Sequence, residues 1–159
     1  MKISPLTPSE NQAVADLVRA VILEHGVPKV GTAYADKSLD DLYTYYQQNS
    51  GIYYVLKDEN GQVVGGAGIA PLENYEGPVC ELQKMYFYPN ARGLGWGSAM
   101  IDQCLSKARE MGYEQCYLET MPQMLDAQKL YLKKGFKYID GPMGDTGHCS
   151  CPIHMLLAL

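Results

Sequence analysis

The sequence has no run of about twenty consecutive apolar residues, so no segment reads as a membrane-spanning helix. Its first residues, Met1-Lys2-Ile3-Ser4-Pro5, lack the apolar stretch of a secretion signal, and the expected compartment is the cytoplasm. Positive charge is scarce: 13 Lys and Arg stand against 18 Asp and Glu, a net charge of -5. That balance argues against the basic footprint of a nucleic-acid binder but leaves room for a local anion site. Tryptophan occurs once and phenylalanine twice, whereas tyrosine occurs 13 times, so most aromatic packing falls to rings that carry a hydroxyl. Five cysteines, an odd number at scattered spacing, do not read as a secreted disulfide framework. Cys80, Cys104 and Cys116 lie in apolar periodic segments and read as core. Cys149-x-Cys151-x-x-His154 brings soft ligands close together. A structural zinc site wants four ligands, and the chain has no second Cys pair, so no metal is expected.

What is present suffices for one compact domain over residues 1–159, with no repeat and no linker. A short edge strand is expected from Ile3. Ser9 with Gln12 fits a capping box, and Val14, Leu17, Val18 and Val21 recur at helical spacing, which predicts a helix over 10–24. Gly26 and Pro28 end it, and 26–37 reads as a loop. Ser38 can cap a second helix carrying Leu39, Leu42, Tyr43 and Tyr46. Residues 52–56 and 62–70 read as a hairpin around Asn60-Gly61. Val79 to Tyr88 reads as a long central strand. A helix over 97–111, a strand over 115–120, a helix over 125–134 and strands at 136–139 and 152–158 follow, with a glycine-rich loop over 141–147. The pattern is an α/β (α+β) domain around one mixed, mostly antiparallel sheet flanked by helices.

The segment Arg92-Gly93-Leu94-Gly95-Trp96-Gly97 leaves a predicted strand and opens a predicted helix. A helix N-terminus has free amides and a positive dipole end, and glycines let the backbone wrap an anion closely. The spacing matches neither a dinucleotide fingerprint nor a nucleoside-triphosphate loop, so from the residues alone a tight strand–helix turn is the competing reading. Together, however, Arg92-x-x-Gly95-x-Gly97 and Ala127-x-x-Leu130-Tyr131-x-x-x-Gly135-Phe136 resemble the two signatures of the GNAT superfamily of N-acetyltransferases, in order and over nearly the whole chain. Met124 stands where many relatives carry asparagine. The resemblance implies a GNAT-like fold, acetyl-CoA as cosubstrate, and a pyrophosphate held by Arg92 and the amides of Gly93, Leu94, Gly95, Trp96 and Gly97. It also implies backbone contacts from Met85, Tyr86 and Phe87 to the pantetheine arm, with Trp96 packing behind the turn.

Acetyl transfer to an amine requires the amine to lose a proton and the thiolate to leave. Glu81 is the first candidate for the base, expected on one pleat face with Gln83, Met85 and Phe87. Glu119, near the end of the neighbouring strand, is the second. The resemblance puts the Tyr131 hydroxyl near the departing sulfur. No residue suggests an acyl-enzyme, which favours direct attack. Loop 141–147 places Asp145 and His148 as candidates for the acceptor, and 26–37 is the other wall. A small primary amine such as an amino acid or polyamine is the expected partner. A protein N-terminus or lysine, and a non-catalytic coenzyme-binding module, remain the rival readings. A homodimer is compatible with this fold.

Overall fold

The computed structural model describes residues 1–159. Seven strands form one sheet: β1 (Lys2–Pro5), β2 (Ile52–Lys57), β3 (Val63–Pro71), β4 (Val79–Phe87), β5 (Gln115–Thr120), β6 (Lys137–Ile139) and β7 (Ile153–Ala158). Their spatial order is β1-β2-β3-β4-β5-β7-β6, and only β4 and β5 run parallel. Helices α1 (Asn11–Glu24) and α2 (Leu42–Gln48) cover one face, and α3 (Trp96–Glu110) and α4 (Leu125–Lys133) the other. Alternation in β2 assigns the two cores: Tyr53 and Val55 pack with Val14, Leu17, Val18 and Ile22 of α1, whereas Tyr54 and Leu56 join Met100, Ile101 and Cys104 of α3. The mixed, mostly antiparallel α/β domain expected from the pattern is the one observed.

Local chemistry moved several boundaries. The residues that cap the approach to α1 are Thr7 and Glu10, not Ser9 and Gln12: the Thr7 amide donates to Glu10 Oε2 at 2.8 Å, and Gln12 turns to Asp16. Ser38 does not cap a helix. Residues 37–41 form a 3-10 turn, and Asp41 caps α2 by accepting from the Thr44 amide at 3.2 Å. An acidic cap satisfies an orphan donor and meets the positive helix end.

Two features of the sheet build the site. First, β4 and β5 are paired only from Val79↔Gln115 to Glu81↔Tyr117, and past Glu81 they part. Second, β4 is bulged. Its register against β3 slips between Gly66 and Gly68, and Lys84 takes φ 49°. An extra residue in one strand reverses the alternation beyond it. Glu81 therefore shares its face with Gln83, as expected, but not with Met85 and Phe87, which pack with Cys80 and Leu82 toward α3. Tyr86 takes the Glu81 side instead. The bulge is held by the Tyr53 hydroxyl, which donates to the Lys84 carbonyl at 2.8 Å. Gly66 makes room for that ring, because a Cβ there would lie 2.6 Å from Tyr53 Cε1.

Candidate active site

The parted strands leave a cleft lined by Leu82, Lys84, Met85, Tyr86, Glu119, Met121 and Tyr131, among others. At one end lies the turn before α3. None of the amides from Gly93 to Ser98 donates to a protein acceptor, and the first backbone bond into the helix is Ala99 to the Gly95 carbonyl at 3.1 Å. Gly95 sits at φ 85°, a left-handed conformation that costs an L side chain about 1–2 kcal/mol. Gly97 packs against α4, where a Cβ would meet Leu130 Cδ2 at 3.0 Å. A row of unpaired amides at a helix N-terminus suits a diphosphate, so the residues fit the expected coenzyme. Arg92 has a different employment in this structure. Its guanidinium grips both oxygens of Glu24 at 2.7 and 2.9 Å and its Nε donates to the Phe87 carbonyl, which fastens the turn to α1 and β4. Trp96 is half-buried against the α3-side core, the packing role expected of it. Leu94 is exposed, and the Phe87 side chain is buried in the core. Gly95→Ala is expected to raise the KM for acetyl-CoA about tenfold, with kcat at saturation little changed, as steady-state kinetics would read.

Tyr131 of α4 lines the same cleft. It is buried, its ring meets Phe136 edge-on at 5.9 Å, and its hydroxyl has no protein hydrogen-bond partner. Burial, with the nearby Cys116 thiol, raises its pKa well above that of a free phenol, so it stays a proton donor across the neutral range.

On the opposite face of β4 the carboxylates converge. Glu81 is 4% exposed, and of its two oxygens only Oε2 has a donor, Gln83 Nε2 at 2.7 Å. Burial pushes its pKa up to about 7. The Gln83 bond opposes that rise, the charge of Glu119 adds to it, and His148 and Lys84 moderate it. Glu119 is pinned at both oxygens, by the Tyr117 hydroxyl and Thr146 Oγ1, each at 2.7 Å. His148 Nδ1 lies 4.0 Å from Glu119 Oε2, and its Nε2 meets both oxygens of Asp36 at 3.1 Å. Burial works against the charged ring, but the Asp36 bond and charge outweigh it and raise the His148 pKa. Desolvation likewise opposes the charged Asp36, yet the His148 bond and the Lys84 charge hold its carboxyl at about 2. Glu81, Glu119 and His148 each offer one atom within 4.8 Å of the others, an arrangement that accepts a cation. The two carboxylates supply its negative charge, and His148 is held by Asp36.

Of the residues singled out from sequence, Glu81, Glu119 and His148 thus come together, and Met85, Tyr86 and Tyr131 line the adjoining cleft. Asp145 stands apart. It is exposed, accepts from the Gly147 amide, and ties its loop to the Glu73 carbonyl and Asn74. Lys84, Asp36, Tyr117 and Thr146 were not singled out. A lysine inside the central strand, after Glu81 and Gln83, was the one available signal. The Cys149–His154 segment does not converge: Cys149 is exposed, and His154 Nδ1 faces the Tyr117 hydroxyl at 2.9 Å.

Comparison with known proteins agrees with this architecture. Residues 21–136 match the model of the acetyltransferase (GNAT) family. The chain is 44% identical over 155 residues to the uncharacterized N-acetyltransferase YjgM of Escherichia coli, covering 97% of this chain and 92% of that one. Among solved structures, a GNAT-family acetyltransferase from Staphylococcus aureus superposes with a TM-score of 0.86 at 19% identity, over 99% of this chain and 98% of the other. An acetyltransferase from Salmonella typhimurium, solved with its cofactor acetyl-CoA, gives 0.80 at 20% identity over 100% and 94%. The chain belongs to the GNAT family of acetyltransferases.

Proposed function

We propose that the chain transfers an acetyl group from acetyl-CoA to the primary amine of a small metabolite by direct attack. The observation that carries this reading is a pair of chemistries set on the two faces of β4: a buried carboxylate with one unpaired oxygen beside the acceptor pocket, and a buried phenol with an unpaired hydroxyl in the cleft. Acetyl-CoA would supply an activated thioester, and the Salmonella typhimurium protein named with that cofactor supports the choice.

The chain's residues then divide the work. The amides from Gly93 to Ser98 hold the diphosphate, and the Arg92–Glu24 pair keeps their turn in place. Glu81 receives the proton that the ammonium must shed before its lone pair can attack, directly or through a water. Glu119 helps to seat that ammonium and keeps Glu81 basic enough to take the proton near neutral pH, while His148 stays paired with Asp36. Tyr131 gives its hydroxyl hydrogen bond, or its proton, to the sulfur as the carbon–sulfur bond breaks. Cys80 and Cys116 are buried in the sheet and form no part of the path.

A small acceptor is favoured by the way the loop before β7 closes down. The Ser150 amide bonds the Gly31 carbonyl at 3.1 Å, Ser150 Oγ bonds the Val30 carbonyl at 3.0 Å, and His148 bonds Asp36, so the two walls meet over the acceptor side. The test is release of free coenzyme A across a panel of small amines beside a panel of peptides. Turnover confined to small amines is expected, and a strong peptide preference would overturn the assignment.

A further inference from the structure

Lys84 occupies the junction of the two halves of the site, lining both the coenzyme cleft and the acceptor pocket. Its ammonium is nearly sealed: the side chain is 4% exposed. A lysine head carries three donors, and a buried one that lacks partners is costly. Here Nζ has one close partner, Asp36 Oδ2 at 2.8 Å, and the Tyr45 ring centroid at 5.8 Å. Asp36 is itself shared, since His148 Nε2 takes both of its oxygens at 3.1 Å. One carboxylate thus serves two bases, and donors of a buried cation are left facing the pocket. Across that pocket stand Glu81 and Glu119 with the opposite need. A simple amine would answer the carboxylates and leave Lys84 as it is. A polyamine would bring a second cation toward it.

Resting on the acetyltransferase reading, we propose that Lys84 is the specificity residue for a zwitterionic acceptor: an amine whose neighbouring carbons carry an anionic group, carboxylate or phosphonate, with the ammonium at Glu81 and Glu119 and the anion at Lys84. The substrate class is amino acids and their phosphonate counterparts rather than polyamines. Lys84 lies three residues after Glu81 on the bulged strand, so both groups of one small molecule are reached at once. The bulge matters here, because it turns a strand residue so that its ammonium reaches Asp36 on the Glu81 side of the sheet.

The experiment compares each amino acid or aminophosphonate with the amine lacking its anionic group, by kcat/KM for coenzyme A release. Wild type is expected to prefer the zwitterion about a hundredfold, the scale of one charge-assisted contact in a closed site. In Lys84→Met the ratio should fall to within about threefold of unity, mainly through loss on the zwitterion. Lys84→Arg should restore part of the preference, which separates loss of the charge from damage to the fold. Equal or better use of the plain amine by wild type, or an unchanged ratio in Lys84→Met, overturns the proposal. The carboxylate and phosphonate arms tell the two anions apart. Calorimetric titration of the same pairs onto the protein with coenzyme A bound reads the preference without turnover. Zwitterion binding lost in Lys84→Met would uphold the inference even if no acceptor were acetylated, an outcome that would sink the functional reading alone. Equal binding of both members of each pair would sink the inference.

Discussion

Glu81→Gln is expected to lower kcat/KM by about 10² to 10⁴-fold, the range that a positioned base contributes. The substitution keeps the shape and the approach of Gln83 Nε2 to position 81 but removes the group that takes the proton. Its sharper signature is in the pH profile. In wild type the rate should climb as pH rises through about 7, because below that value the Glu81 carboxyl is already protonated and cannot accept a second proton. Burial sets that value first, and around Glu81 stand Gln83 and Lys84 of its own strand, Glu119 of β5 and His148 of the loop before β7. Glutamine does not titrate, so the ascending limb should flatten to the dependence imposed by the amine itself. Steady-state rates over about three pH units around that inflection provide the comparison. A variant with wild-type rate and limb would remove Glu81 from the mechanism.

Phe136→Ala is expected to cost about 3–5 kcal/mol of stability, the usual range for emptying a buried aromatic site. Phe136 is 1% exposed and follows Gly135, whose φ of 95° turns the chain out of α4 and lays the ring against the α3-side core. The ring also supports Tyr131 edge-on at 5.9 Å, so its loss should loosen the tyrosine that faces the cleft. A lowered urea midpoint with kcat reduced more than the KM for acetyl-CoA is the expected pair of results. A loss under about 1 kcal/mol would mean that the site collapses to fill the cavity, against the packing described.

The fold was legible because its signals were local and mutually consistent. Helical spacing of Val14, Leu17, Val18 and Val21, the Ile-Tyr-Tyr-Val-Leu strand and the glycines at 93, 95 and 97 each named an element that formed. Glu81 and Glu119 were legible as carboxylates on neighbouring strands. What was not legible arose from non-local geometry. A bulge in β4 depends on how β3 pairs with it, and on a tyrosine 31 residues away that holds the Lys84 carbonyl. No alternation rule applied to β4 alone can foresee that Glu81 and Met85 end on opposite faces. The Asp36–His148 contact spans 112 positions of chain, and the Arg92–Glu24 pair 68, so Asp36 and Glu24, the partners of two residues that were legible, carried no mark in their own neighbourhoods. Caps were misplaced for a smaller reason: Thr7, Ser9, Ser38 and Asp41 all have capping chemistry, and tertiary packing chose among them.

At the centre of this account is a carboxyl at position 81 poised near neutral pH by burial and by Glu119. Carbon-13 NMR of glutamate-labelled protein reads it directly, with the resonance assigned by its loss in Glu81→Gln. The account predicts titration near 7 in the wild type and a shift to lower pH in Glu119→Gln, where the neighbouring negative charge is gone. A Glu81 resonance that titrated at the ordinary glutamate value of about 4.3, unmoved by Glu119→Gln, would contradict it.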